Sequence, residues 1–231
     1  MLHSMKDLSG YTIEARDGHI GSPYEFCFDD HTWHLRYAVV ETGDWLLGHK
    51  VLISMDQFGP PIPAEHTLSV KRTLQEVQDS PSLENNKPVY LQRKSEAYDY
   101  LRWGGEVQMS GTWVISPLAG QLLDAAEQER AEERDEYDPH LRSTREVTGY
   151  HIDATDGEIG HIEDFIVDDQ TWRIGYIVID TRNWLPGKKV MVAPMWIVKV
   201  RWTEKKVYVA LQRQTIENGP EFDLESLQRG D

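Results

Sequence analysis

Gly10-Tyr11-Thr12-Ile13-Glu14-Ala15-Arg16-Asp17-Gly18-His19-Ile20-Gly21 returns later in the chain as Gly149-Tyr150-His151-Ile152-Asp153-Ala154-Thr155-Asp156-Gly157-Glu158-Ile159-Gly160, an offset of 139 residues. Holding that offset without a gap sets Asp29-Asp30-His31-Thr32-Trp33 on Asp168-Asp169-Gln170-Thr171-Trp172. It also sets Trp45-Leu46-Leu47-Gly48-His49-Lys50-Val51 on Trp184-Leu185-Pro186-Gly187-Lys188-Lys189-Val190, and Pro81 on Pro220. About 25 of about 72 aligned positions are identical, which is the signature of a duplicated structural unit. The chain therefore reads as two copies of one module, residues 10–81 and 149–220.

Each module is patterned as short strands. Asp17-Gly18 and Asp156-Gly157 sit between extended segments. An Asp-Gly pair in that position predicts a two-residue hairpin of type I′, with positive φ at both central residues. Trp33 to Val40 and Trp172 to Ile179 alternate bulky apolar with mixed residues and read as the central strand of each module. Lys50 to Ile53 and Lys189 to Val192 read as the next strand, and Val198 to Trp202 with Val207 to Leu211 as a closing hairpin. Pro60, Pro61 and Pro63 should distort the first copy of that hairpin, because proline cannot donate to a ladder. A turn of helix is expected near Leu74 to Gln78 and Thr215 to Asn218. Five or six short strands, bent by glycine, predict an all-β chain of two tandem small barrels with separate cores.

The expected divisions are a first module over 1–81, a linker over 82–144, a second module over 145–220 and a tail over 221–231. The linker carries Tyr90, Tyr98, Tyr100, Trp103 and Trp113, too aromatic for a solvated spacer. Leu118 to Arg134 reads as an acidic helix ended by Asp138-Pro139.

Lys and Arg number 24 against 39 Asp and Glu, a net charge of −15 that repels phosphate backbones and anionic membrane surfaces. Direct nucleic-acid binding and membrane insertion are therefore not expected. The lone Cys27 cannot form an internal disulfide, the first residues carry no signal-peptide pattern, and a cytoplasmic location is the expectation, free or peripheral to a membrane complex.

The pattern Gly-Tyr-x-Ile-x-Ala-x-Asp-Gly-x-Ile-Gly, then Asp-Asp-x-Thr-Trp, then Asp180-Thr181-Arg182-Asn183-Trp184-Leu185-Pro186-Gly187-Lys188-Lys189-Val190, resembles the PRC-barrel family. That family is named for the cytoplasmic domain of the photosynthetic reaction-centre H subunit, and a related domain ends a ribosome-maturation factor. The resemblance covers both repeats and implies a small β-barrel that supports protein contacts, with no catalytic residues to carry over. Unlike the H subunit, this chain has no apolar stretch long enough for a membrane helix.

Read for chemistry, the residues point the same way. His31 and His34, three apart on an extended strand, point to opposite faces, and the second copy has Gln170 and Arg173 instead, so no metal site is expected. Asp29-Asp30 and Asp168-Asp169 read as turn residues rather than an acid/base pair, Cys27 as a buried apolar residue, and Gly18, Gly21, Gly157 and Gly160 as turn glycines. No catalytic residue and no cofactor is expected. Trp45, Trp184, Tyr98, Tyr100 and Trp103 are the candidate interaction residues, since aromatic side chains are enriched where proteins bind one another. The expected role is a non-catalytic interaction or scaffold protein with an unidentified protein partner, with self-association open. The alternatives are a ribosome-associated or RNA-processing accessory, a reaction-centre assembly role and a metalloenzyme.

Overall fold

The computed structural model describes residues 1–43, 50–79, 140–181, 188–219 and 222. The elements in the first part of the chain are β1 (Leu2–Ser4), α1 (Met5–Leu8), β2 (Thr12–Glu14), β3 (His19–Asp29), β4 (Leu35–Thr42), β5 (Lys50–Ser54), β6 (Thr67–Ser69) and α2 (Leu74–Gln78). The second part repeats them as β7 (Leu141–Ser143), α3 (Thr144–Val147), β8 (His151–Ala154), β9 (Gly157–Asp168), β10 (Ile174–Asp180), β11 (Lys189–Val192), β12 (Ile197–Arg201), β13 (Lys206–Val209) and α4 (Arg213–Glu217). The all-β reading stands. Among the described residues no helix is long and apolar enough to cross a membrane.

Two sheets form, in the orders β5-β4-β3-β2-β6 and β11-β10-β9-β8-β13-β12. The pairings match residue for residue at the repeat offset. Ile13 faces Leu68 in a parallel ladder, and Ile152 faces Val207 in its counterpart. The strand at the centre of each sheet is the long β3 or β9, not the run starting at Trp33 or Trp172. Those two tryptophans are corners, with φ of 60° and 54°, and β4 and β10 begin two residues after them. Among the described residues no ladder joins the two ends of either order, so the strands do not close into barrels as the sequence predicted. Between β11 and β12, the two end strands of that order, Pro194–Trp196 forms a 3-10 turn. In the first copy Pro60 and Pro61 reduce the β12 equivalent to isolated bridges, Phe58 to Val70 and Ile62 to Thr67.

Two expectations about the turns need correction. Asp17, Asp156 and Gly18 do not have positive φ, while Gly157 does at 137°, so neither hairpin is type I′. The helix expected over Thr215 to Asn218 is α4, which begins at Arg213.

The larger departure concerns the modules' independence. Strand β1 pairs with β9 of the second module, Leu2 facing Asp168 and Ser4 facing Ile166. Strand β7, which fell in the expected linker, pairs with β3 of the first, Cys27 facing Ser143 and Asp29 facing Leu141. Each module thus lends its leading strand and the helix after it to the other. One continuous apolar core takes Phe28, Leu35 and Phe58 from the first module and Phe165, Trp172 and Ile174 from the second. The expected separate cores do not exist. A side cluster of Cys27, Val39, Leu52 and Leu141 is closed by the exchanged strand itself.

Candidate functional site

The polar residues that the sequence brings forward gather along the seam between the modules. In the first copy, Asp29 Oδ1 accepts hydrogen bonds from the His31 N–H (3.0 Å), the Thr32 N–H (2.8 Å) and the Thr32 hydroxyl (3.0 Å). Asp168 does the same for Gln170 (3.2 Å) and for the Thr171 N–H and hydroxyl (2.9 and 2.8 Å). This satisfies the backbone of a tight corner and holds the following tryptophan in the left-handed region. Burial raises the Asp29 carboxyl, but the Thr32 and His31 donors, with Arg36 nearby, bring it below its ordinary value. The Thr171 donors lower Asp168 in the same way.

The corner places the Trp carbonyl against the other module. The Leu35 N–H donates to the Trp172 carbonyl and the Ile174 N–H to the Trp33 carbonyl, both at 2.8 Å. Phe28 stacks on Trp33 at 5.2 Å and meets Phe165 at 5.9 Å, so the corner is also the centre of the shared core. The second aspartate of each pair holds the exchanged strand. The Arg142 Nε–H donates to Asp30 at 2.8 Å, and His140 Nδ1 lies 2.9 Å from the same carboxylate. His3 Nε2 lies 3.0 Å from Asp169. Arg142 also covers the ring of Trp202 at 4.2 Å.

A second pair of acids was not picked out from the sequence. Ser4, which caps α1, donates its hydroxyl to the buried Asp164 of β9, and Ser143, which caps α3, donates to the buried Glu25 of β3. The Lys6 and Phe165 N–H groups add donors to Asp164 at 3.0 and 2.8 Å. Burial nonetheless pushes the Asp164 carboxyl above its usual value. Holding the repeat offset upstream would have shown these residues, because Leu2-His3-Ser4 then falls on Leu141-Arg142-Ser143 and Glu25 on Asp164.

Between α1 and α3 runs an open groove of about 490 Å³, lined by Lys6, Tyr24, Glu25, Arg145, Glu163 and Asp164 among others. The Tyr24 ring has two cations against it, Arg145 of the groove at 4.5 Å and Lys50 at 3.1 Å from its centre. The groove's acids have donors of their own and serve as caps and ion-pair partners. Burial, and then the neighbouring Glu25, push the Cys27 thiol well above its usual value, which makes it a packing residue. His31 lies beside His140, while His34 bridges to Arg173 in the other module, so the structure does not bring the two histidines together. Among the described residues no cluster of three or more His, Cys, Asp or Glu could hold a metal ion. Trp45, Trp184, Tyr98, Tyr100 and Trp103, the acidic helix expected over Leu118 to Arg134, and the tail beyond 222 lie outside the described residues.

No protein-family model and no curated protein matches this chain. What fold and seam define is a class: an internally duplicated all-β protein whose two modules exchange their leading segments. Within it, the Asp-Asp-x-Thr-Trp motif joins one module to the other.

Proposed function

We propose that this chain is a non-catalytic interaction scaffold of the PRC-barrel kind. The observation that supports this best is the employment of its acids. Asp29 and Asp168 build corners, Asp30 and Asp169 hold the exchanged strands, and Glu25 and Asp164 receive the helix caps. The chemistry of the repeat is spent on making one body of two modules. The test is affinity capture of the tagged chain from its source organism, read by mass spectrometry. The proposal expects one or a few proteins retained in near-stoichiometric amount after nuclease treatment. Retention of ribosomal proteins would select the ribosome-associated reading. Recovery of nucleic acid alone, or of nothing above an untagged control, would contradict the proposal.

A further inference from the structure

Strand β12 ends its sheet, and among the described residues no strand pairs with its outer side. Met195, Trp196 and Val198, on the turn before it and on the strand, are 83%, 43% and 66% exposed. An apolar edge of this kind on a folded protein marks a place where another chain adds. The first module is an internal comparison, since the same fold places Asp56, Gln57, Gly59, Pro60 and Pro61 at the positions of Met195, Trp196, Val198, Lys199 and Val200. The architecture therefore does not need large apolar residues here. One copy closes the edge with proline and polar residues, and the other leaves it open.

Charge selects the occupant. In a chain of net charge −15, the stretch from Lys199 to Lys206 carries Lys199, Arg201, Lys205 and Lys206 against the single Glu204. Arg201 is bonded to Glu204 at 2.6 Å and Lys206 to Asp153 at 3.2 Å. Lys199 and Lys205 have no ion-pair partner among the described residues. A second copy would set Lys199 and Arg201 against themselves in an antiparallel pair and would bring together two strongly acidic bodies, so self-pairing is disfavoured. We infer that the outer edge of β12 receives an extended segment of another protein in which apolar residues alternate with Asp or Glu, added as a further strand. Main-chain bonds would hold the segment, Trp196 and Val198 would take its apolar side chains, and Lys199 would face its carboxylates. The inference rests on the interaction-scaffold reading and names the surface and the partner chemistry.

The probe is a fluorescein-labelled peptide of about ten residues alternating Val and Glu, titrated with the full chain and read by anisotropy, beside a Val-Lys control. The Val-Glu peptide should bind at least about ten-fold more tightly than the control. Lys199→Glu, at an exposed position, should weaken the Val-Glu peptide by a similar factor and strengthen the control. Met195→Asp/Trp196→Gln, which installs the first module's own residues, should weaken the Val-Glu peptide likewise. Bound peptide should slow amide exchange across Val198 to Arg201. Equal binding of the two peptides, indifference to these variants, no binding, or a dimer formed through β12 would overturn the inference. Partners that the Met195→Asp/Trp196→Gln chain still captures would overturn it while leaving the scaffold reading in place. Absence of any partner with the native chain would remove that reading itself.

Discussion

At Gly21 and Gly160 the long strands β3 and β9 pass so close to their neighbours that a Cβ would lie 2.0 Å from the carbonyl oxygen of Glu41 or Asp180. The backbone there has φ of 154° and 144°. Nothing short of moving main chain relieves such a contact. We expect Gly160→Ala and Gly21→Ala each to lower unfolding free energy by on the order of 3 to 5 kcal/mol in urea titrations. Gly18→Ala should cost about 1 kcal/mol or less, because the residue has no positive φ and its nearest contact is the flexible end of Leu74 at 3.0 Å. Equal effects at Gly18 and Gly21 would contradict this. The sequence makes both glycines of each Asp-Gly-x-Ile-Gly stretch equally prominent. Only the approach of β4 or β10, set by pairing some twenty residues away in the chain, tells them apart. The Asp-Asp-x-Thr corner is legible, by contrast, because the hydrogen bonds to its first aspartate run within four consecutive residues.

The exchanged segment is the element whose energetics set the architecture. Removing the Ser4 or Ser143 hydroxyl leaves a buried carboxylate short of a donor and a helix without its cap. Ser4→Ala and Ser143→Ala are each expected to cost about 1 to 3 kcal/mol, measured by denaturant unfolding. Changes within error at both sites would contradict the seam as described. Asp164 adds a pH signature. Its folded carboxyl titrates above the unfolded value near about 3.9, so the folded state binds more protons between those two limits, and stability falls as pH rises through that window. Asp164→Asn removes the ionisation. The stability of the variant relative to the native chain should rise as pH increases from about 4 toward neutrality and then level off. Asp29 and Asp168 act in the opposite sense, their contribution being lost as pH falls below about 3.9 through their lowered folded values. Parallel curves for native chain and variant across the range would exclude the assignment at Asp164. The exchange itself could not be read from the sequence. Leu2-x-Ser4 and Leu141-x-Ser143 would make the same bonds to β3 or β9 whether docked on their own module or on the other one, so local pattern is silent between the two arrangements.

For the whole molecule, duplication is plain in the residues, and two separate cores are what it predicts. They do not form, because the two modules offer matching edges at β3 and β9, and reciprocal exchange satisfies both at once while joining Phe28 and Phe165 in one interior. A closed barrel was the natural reading of many short strands in a small module. Among the described residues each sheet instead stays open, and in the first copy Pro60 and Pro61, at the positions of Lys199 and Val200 in β12, break the last strand into isolated bridges. The central claim is that the two modules unfold as one unit. Hydrogen exchange of the native chain and of Gly160→Ala, followed by mass spectrometry at increasing urea, tests it most directly. The account predicts that amides at Cys27 and Phe28 in the first module lose protection together with those at Ile166 and Val167 in the second, and that Gly160→Ala shifts both to lower urea by the same amount. Protection that persists in the first module after the second has opened would contradict it.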